Sequence, residues 1–156
     1  MPRGLIANAQ SVTTDEDITK AITLTGSDPE GGTLAFVIVS PPTRGTLTGN
    51  PPNVTYAPNA NVNGGDSFTF KVTSGLRESA PATVSLTVNA INDVPTITAP
   101  DARTANEGEL ISFVVSASDV DAGQTVTLTN GTLPNGATFN AVTGAFSWTP
   151  SFQQSG

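Results

Sequence analysis

The sequence predicts an all-β protein made of two tandem antiparallel β-sandwiches, the second of which lacks its last strands. Three observations lead to this prediction: short segments in which polar and apolar residues alternate, turn signals between them, and an internal repeat of roughly 91 residues. An alternation with a period of two places one face of a strand against a core and the other in water. Short strands separated by frequent Gly, Pro and Asn turns are typical of antiparallel sandwiches and barrels.

The strand segments follow one another through both halves of the chain. They are "KAITLTGSD" (20–28), "TLAFVIVS" (33–40), "SFTFKV" (67–72), "ATVSLTV" (82–88), "LISFVVSAS" (110–118) and "TVTLTNG" (125–131), and "TITAP" begins a further strand at residue 96. Their alternation assigns the aromatic side chains to the core, namely Phe36, Phe68, Phe70, Phe113, Phe139 and Phe146, together with Tyr56 and Trp148. No window predicts a helix longer than one turn.

Composition and charge exclude several classes of function. The chain of 156 residues has a formal net charge of −7, which argues against a nucleic-acid partner, because phosphate binding needs clustered Lys and Arg. It contains no cysteine and no histidine, so disulfides, thiolate metal sites and a Ser-His-Asp triad are excluded. No apolar run is long enough to span a bilayer. We therefore expect a non-enzymatic protein, with no membrane insertion in this segment.

The internal repeat aligns the two halves residue by residue. Glu16 and Glu107 lie 91 residues apart, as do Asp28 and Asp119, and Glu30 and Asp121. "TYAP", ending at Pro58, matches "SWTP", ending at Pro150, at a separation of 92. The predicted domains are residues 1–92, of which 1–10 form an N-terminal extension, and residues 93–156.

The second copy stops before its last two strands. After Pro58 the first copy continues through "DSFTFKV" and "ATVSLTV", whereas only "SFQQSG" follows Pro150. A sandwich cut at this point exposes a core face and an unpaired edge. Three interpretations stay open: a fragment of a longer chain, a partly disordered second domain, or a filament in which a neighbouring molecule supplies the strand. For the filament, "GLIANAQSV" (4–12) is the candidate donor.

These segments resemble a known group of repeats. "VTTDEDITKAITLTGSDPEGGTL", "VTYAPNANVNGGDSFTFKV" and "ATVSLTVNAINDVP" resemble the tandem cadherin-like, Ig-like repeats of large bacterial surface and secreted adhesins. The segment from "DARTANEGEL" to "FSWTP" resembles about two thirds of a dystroglycan-type cadherin-like Ig domain. The resemblance implies two Ig-like, cadherin-like sandwiches in an extracellular bacterial repeat protein. Its implied partners are neighbouring repeats, other copies of the chain, or a protein or glycan receptor.

The resemblance also implies calcium at the junction between the domains. In cadherins the ligands come from a Glu of the first domain, an Asp-x-Asn-Asp-x-x-Pro linker and an Asp-x-Asp of the next domain. The matching positions, together with the repeat equivalent of the first Glu, are Glu16, Asn92, Asp93, Glu107, Asp119 and Asp121, with Asp28 and Glu30 as a weaker pair. Asn89 stands where the family has its leading Asp. Calcium prefers six to eight hard oxygen ligands, which carboxylates and amides provide.

Each of these features has a simpler interpretation. Asp, Asn and Gly are the commonest turn residues, so "DPEGG" and "INDVP" are equally consistent with turns that bind no metal. Trp148 and Tyr56 occupy equivalent repeat positions, which favours packing in the core over a carbohydrate-binding platform. Arg77, in "SGLRES", is expected to be a solvated hairpin residue.

Overall fold

The computed structural model of the chain describes residues 4–153. Fifteen β-strands account for all the regular structure in this range, which contains no helix, and therefore none that could cross a membrane. The chain divides into two compact units, Met1–Ile91 and Asn92–Gly156. The predicted all-β class is confirmed.

The first unit contains ten strands in three hydrogen-bonded sets. The strands are β1 (Ile6–Ala7), β2 (Gln10–Asp15), β3 (Lys20–Thr23), β4 (Gly26–Ser27), β5 (Ala35–Ser40), β6 (Gly45–Asn50), β7 (Asn53–Pro58), β8 (Gly64–Ser74), β9 (Arg77–Glu78) and β10 (Ala82–Asn89). One sheet has the order β2-β10-β8-β5, with β9 paired to β8. The second sheet is β3-β7-β6, and β1 pairs with β4.

One pair departs from the predicted antiparallel arrangement. β10 runs parallel to β2, from Val84 opposite Gln10 to Asn89 opposite Asp15. The two strands come from opposite ends of the unit, and a long connection is what parallel pairing requires. The second strand of the unit, β2, and its last strand, β10, are therefore neighbours in one sheet.

The core of the first unit depends on β8 and β10. Twelve hydrophobic residues of the described chain are buried, all of them in this unit, and seven belong to these two strands. The seven are Phe68, Phe70, Val72, Ala82, Val84, Leu86 and Val88. Strand β10 alternates strictly between buried and exposed positions, as its sequence predicts. Phe36 stacks on Phe70 from β5 at the core margin.

Residues 4–10 lie within the first sandwich, although their sequence predicted an N-terminal extension over residues 1–10. Leu5 is buried, β1 pairs with β4, and β2 begins at Gln10. The poor alternation of "GLIANAQSV" gave no sign of these two strands. Residues 1–3 lie outside the described residues.

The second unit contains five strands: β11 (Thr96–Thr98), β12 (Ile111–Val114), β13 (Ser116–Ser118), β14 (Thr138–Asn140) and β15 (Ala145–Trp148). They form a β12-β15-β14 sheet and a β11-β13 pair. These match β3-β7-β6 and β1-β4 of the first unit. Ile111 lies opposite Trp148 as Lys20 lies opposite Tyr56, so the two sheets have the same register.

The sheet that corresponds to β2-β10-β8-β5 is missing from the described part of the second unit. The prediction of a strand at "TVTLTNG" is wrong, because residues 125–131 lie in no strand, and neither do residues 101–106. In the first unit the corresponding segments are β5 and β2, which pair with β8 and β10. Without such partners, a strand would leave its N–H and C=O groups unpaired along both edges.

Burial differs between the two units accordingly. None of the buried hydrophobic residues of the described chain lies in the second unit, and several of its large apolar side chains are more than half exposed. The three phenylalanines predicted to be core, Phe113, Phe139 and Phe146, are only partly buried. Phe113 and Phe146 stack with their ring centroids 4.6 Å apart. This face of the second unit is apolar but uncovered.

Candidate functional site

Asp28, in the loop after β4, is the centre of a dense hydrogen-bond network. Its Oδ1 accepts from the N–H of Glu30 at 2.9 Å, and its Oδ2 accepts from the N–H of Gly32 at 3.1 Å. The Arg77 guanidinium donates to Oδ2 at 2.6 Å, and the side chain of Asp28 is only 1% exposed. The Glu30 N–H, and after it Ser74 and Arg77, lower the pKa of Asp28 despite its burial.

Arg77 brings Asp28 and Glu30 together, contrary to its predicted role as a solvated hairpin residue. Its Nη1 lies 2.9 Å from the Oε2 of Glu30, while its Nη2 contacts Asp28. The planar guanidinium donates hydrogen bonds from two different nitrogens, so it can contact both carboxylates at once. The weaker predicted metal pair of the first unit therefore already holds a cationic side chain.

The equivalent loop of the second unit keeps one hydrogen bond of this network but has no such cation among the described residues. The Oδ1 of Asp119 accepts from the N–H of Asp121 at 2.9 Å, as Asp28 accepts from Glu30. Among residues 4–153, no ion pair joins Asp119 or Asp121 to Lys or Arg. The repeat has kept both carboxylates and the turn.

Two linker residues contact this loop. The N–H of Asp93 donates to the Oδ2 of Asp121 at 2.8 Å, and Gln124 donates to the Oδ1 of Asn92 at 2.5 Å. The structure thus brings together four of the predicted ligands, Asn92, Asp93, Asp119 and Asp121. It also adds Gln124, which the sequence patterns did not predict. The position of Gln124, directly after the Asp-x-Asp-Ala-Gly turn, was the available signal. We call these five residues the linker cluster.

The donor chemistry of the linker cluster fits calcium, while its geometry is not that of a closed cage. Carboxylate and amide oxygens are hard ligands of the kind that calcium prefers. Within the described chain, however, no three acidic side chains are grouped closely enough to hold a metal ion. A bound calcium would therefore need water or backbone oxygens to complete its six to eight ligands.

Glu16 and Glu107 occupy equivalent sequence positions in different environments. Glu16 is 5% exposed, and its two oxygens accept from the N–H of Ile91 at 2.7 Å and from Asn63 at 3.3 Å. Glu107 is exposed in a turn, and within residues 4–153 the linker cluster forms its hydrogen bonds without it. Glu16 thus holds the chain where it leaves β10. The described part of the second unit has no strand that corresponds to β10.

A second buried network, which the sequence patterns did not predict, joins Tyr56 to Asp66. The Tyr56 hydroxyl donates to the Oδ2 of Asp66 at 2.9 Å, and the N–H groups of Thr43 and Arg44 donate to the same carboxylate at 3.0 Å. Burial alone would raise the pKa of Asp66, but these donors and Ser67 outweigh it, so the pKa is lowered. Burial, followed by the Asp66 hydrogen bond, raises the pKa of Tyr56 to about 12.

Trp148 belongs to the apolar face of the second unit. Its indole N–H donates to the carbonyl of Asn135 at 3.2 Å, and its ring borders a cavity of about 320 Å³ with Ile111, Phe113 and Phe146. Its repeat equivalent, Tyr56, has no exposed surface. The predicted packing role agrees with this position, since Trp148 faces the side that forms the core in the first unit.

Family models of Ig domains match both units of the chain. The family model described as "Bacterial Ig domain" matches residues 2–87, and the one described as "Putative Ig domain" matches residues 94–156. The integrin beta-like protein A of Dictyostelium discoideum is 27% identical over 131 residues, which cover 72% of this chain and 7% of that protein. The chain therefore spans only a small part of this curated relative.

Solved structures with a similar fold include a hydrolase and the extracellular domains of a protocadherin. An endo-fucoidan hydrolase of glycoside hydrolase family 107 is 19% identical with a TM-score of 0.47, and the match covers 98% of this chain and 25% of the hydrolase. Extracellular cadherin domains 3–6 of protocadherin gamma B2 are 13% identical with a TM-score of 0.47, over 92% of this chain and 37% of that one. These similarities concern the fold alone.

Proposed function

Because the chain belongs to the bacterial Ig domain family, we propose that it is a non-enzymatic repeat module of a bacterial surface or secreted protein. Ig-like repeat domains are typical of adhesion and surface proteins. The observation that best supports a structural or adhesive role is the repetition itself: the β3-β7-β6 sheet recurs in β12-β15-β14 with the same register. A module that recurs along a chain provides length and surface.

The environment of the titratable groups supports a non-enzymatic module. The shifted pKa values belong to Asp28, Asp66 and Tyr56, and each of these groups is held by hydrogen bonds inside the first unit. Perturbed pKa values mark catalytic sites when they occur in a cleft, but structural networks perturb them as well. These three groups hold turns and strand ends in place through their hydrogen bonds.

The finer proposal is that calcium binds at the linker cluster. Asp119 and Asp121 carry two negative charges that no Lys or Arg balances among residues 4–153, and Asn92 and Asp93 contribute further oxygens beside them. Glu16 is a less suitable ligand, since both of its oxygens already accept hydrogen bonds. A cation at this cluster would order the linker residues, as the cadherin resemblance implies.

Thermal unfolding in EDTA and in calcium tests this proposal. A ligand that binds only the folded state stabilises it by mass action, and extracellular calcium modules have dissociation constants of about 0.1–1 mM. At about 10 mM calcium the expected stabilisation is roughly 1.4–2.7 kcal/mol, seen as a higher melting temperature in the emission of Trp148. The Asp119→Asn variant should lose this rise.

Asp101→Asn is the matched control, because it removes the same charge from an exposed residue of the same unit. It should keep the calcium effect. An equal rise in all three proteins would indicate nonspecific screening, and no rise in the wild type would leave the linker cluster as a set of hydrogen-bonded turns. Either result would remove calcium from the proposal while the module function stands.

The exposed apolar face of the second unit favours a second candidate, a filament-forming subunit. None of the buried hydrophobic residues of the described chain lies in this unit, so a strand supplied by a neighbouring copy would find an open edge. Sedimentation over a range of protein concentrations tests the idea, because a filament grows with concentration and an isolated module stays monomeric. A carbohydrate-binding module has less support, since Trp148 faces the side equivalent to a core.

A further inference from the structure

We propose that Asn63, at the entry to β8, is a site of spontaneous deamidation, and that its conversion releases the chain where it leaves β10. Gly64 follows Asn63 in the sequence. An asparagine side chain cyclises most readily onto the nitrogen of a following glycine, because glycine has no Cβ to obstruct the ring. Such a modification site lies outside the module function proposed above and does not depend on it.

The reaction needs only water and the groups of this segment. The backbone nitrogen of Gly64 attacks Cγ of Asn63 and forms a cyclic succinimide, while the bond from Cγ to Nδ2 breaks. The proton of the Gly64 N–H leaves with the side-chain nitrogen as ammonia. Water then opens the ring at either carbonyl and leaves an aspartate or an isoaspartate at residue 63. The product carries a negative charge at neutral pH, where the amide carried none.

The position of Asn63 allows the ring to form without opening the sheet. Asn63 is exposed and precedes β8, and Gly64, with a φ of 102°, is the first residue of that strand. Strand ends open more readily than strand centres. A Cβ at Gly64 would lie 3.0 Å from the Nη1 of Arg44, so a guanidinium stands beside the attacking residue. Its positive charge favours the loss of the Gly64 proton and stabilises the oxyanion that forms during ring closure.

The side chain of Asn63 also holds Glu16 in place. Its Nδ2 donates to the Oε2 of Glu16 at 3.3 Å, while the N–H of Ile91 donates to the Oε1 at 2.7 Å. The N–H of Glu16 donates in turn to the carbonyl of Asn89 at 3.0 Å, so Glu16 contacts the end of β10 through both its backbone and its side chain. Glu16 is 5% exposed, so a donor that it loses is costly to replace with water.

Deamidation replaces this donor with a group of the same charge as Glu16. A carboxylate at residue 63 cannot donate a hydrogen bond, and two neighbouring carboxylates repel each other. Among residues 4–153, no Lys or Arg forms an ion pair with Glu16 that would offset this repulsion. We therefore expect Glu16 to turn away from residue 63, which breaks its hydrogen bond with Ile91.

Two further Asn-Gly pairs provide an internal control. Asn130-Gly131 and Asn135-Gly136 have the same chemistry and belong to the second unit. The Nδ2 of Asn130 donates to the carbonyl of Gly131 at 2.8 Å, which is a contact between uncharged groups. Deamidation at these pairs should therefore leave the hydrogen bond of Ile91 intact.

Incubation of the full chain in warm neutral buffer tests the reaction itself. Mass spectrometry of proteolytic peptides locates each asparagine that has become a carboxylate, and an isoaspartate methyltransferase detects the isoaspartate product. We expect conversion at Asn63 in the folded wild type. Arg44→Gln should slow it about fivefold, the factor that a unit charge at about 4 Å exerts in water. Arg103→Gln, the same change at an exposed residue of the second unit, should not alter the rate.

Hydrogen exchange of the Ile91 amide, followed by NMR, tests the consequence. Asn63→Asp reproduces one product without ageing, and it should accelerate this exchange about tenfold, as expected for a lost hydrogen bond to a charged group. The aged chain should show the same change. The N–H of Gly31, which donates to the carbonyl of Asp28 at 3.0 Å, should exchange at an unchanged rate. The proposal would be overturned if Asn63 stayed intact while Asn130 converted, or if Ile91 exchanged equally fast in Asn63→Asp and the wild type.

Discussion

The two units fold one half of their sandwich alike and differ in the other half. β3-β7-β6 and β12-β15-β14 share strand order and register, and in both the central strand carries an aromatic residue two positions before a proline. Tyr56 is fully buried, whereas Trp148 is only partly buried. The three-stranded sheet of the second unit therefore forms without a second large sheet packed against it. In the first unit, β8 and β10 pack over that sheet and close the core.

The same comparison explains the different environments of two matching acidic pairs. Asp28 and Asp119 form the same turn through the N–H two residues on. Arg77, in β9, forms ion pairs with both members of the first pair, while the second has no comparable partner among the described residues. The site that Arg77 fills in the first unit is therefore the site at which we propose a calcium ion in the second.

The largest expected effect tests the difference in burial. Phe70→Ala removes a side chain with no exposed surface and should cost the first unit about 3–5 kcal/mol of unfolding free energy. Phe146→Ala, on the partly covered face, should cost the second unit about 1–2 kcal/mol, because much of that ring already contacts water. Urea unfolding measures both losses, with Tyr56 reporting the first unit and Trp148 the second.

Each variant serves as the control for the other, since the two probes lie in different units. Phe70→Ala should leave the Trp148 transition where it is. If Phe146→Ala proved as costly as Phe70→Ala, the second unit would have a closed core in solution, and the comparison of burial would be wrong.

A smaller effect tests the contact between β4 and β8. Gly26→Ala places a Cβ 2.7 Å from the carbonyl oxygen of Ile6 and 2.8 Å from Val72, so the strands must separate. Overpacking of this kind costs about 1–3 kcal/mol. Ala117→Gly, at the equivalent position of the second unit, should cost less than about 1 kcal/mol. The midpoints of urea unfolding compare the two, and equal losses would contradict the close approach of Gly26 to Val72.

Local patterns predicted most of the strands, because each pattern reflects a face that the chain does bury. β8 and β10 alternate in sequence as they alternate in burial, and the repeat alone paired Asp28 with Asp119. The strand predicted over residues 125–131 is absent for a reason that no local pattern contains. A strand needs a partner, and the partner of that segment is missing from the described chain.

The candidate site was only partly predictable for a similar reason. The acidic positions were visible in the sequence, but Arg77 reaches Asp28 across 49 residues, and Tyr56 and Asp66 meet only because β7 and β8 lie in facing sheets. Gln124 contributes to the linker cluster through its side chain, and its position after the Asp-x-Asp-Ala-Gly turn does not by itself reveal the contact with Asn92. Contacts that depend on tertiary packing require the fold to be known first.

The smallest expected effect uses pH to separate the units. Tyr56→Phe removes the hydrogen bond to Asp66 and should cost about 1.5 kcal/mol at neutral pH. The pKa of Tyr56 is raised to about 12 in the folded first unit, against about 10 in an unfolded chain. The stability linked to this group is therefore fully present below pH 10 and is lost as the pH rises towards 12. The Tyr56→Phe variant should therefore lose less unfolding free energy than the wild type as the pH rises from 10 to 12.

The second unit provides the internal control for this measurement. It contains no Tyr and no Lys. Urea midpoints read from Trp148 should stay level over this interval while those of the first unit fall. The first unit contains other ionisable groups, so the quantity to compare is the difference in unfolding free energy between the wild type and Tyr56→Phe. A difference that does not change with pH would mean that the Tyr56 hydroxyl is solvated, and the closed core of the first unit would then be looser at its centre than its burial indicates.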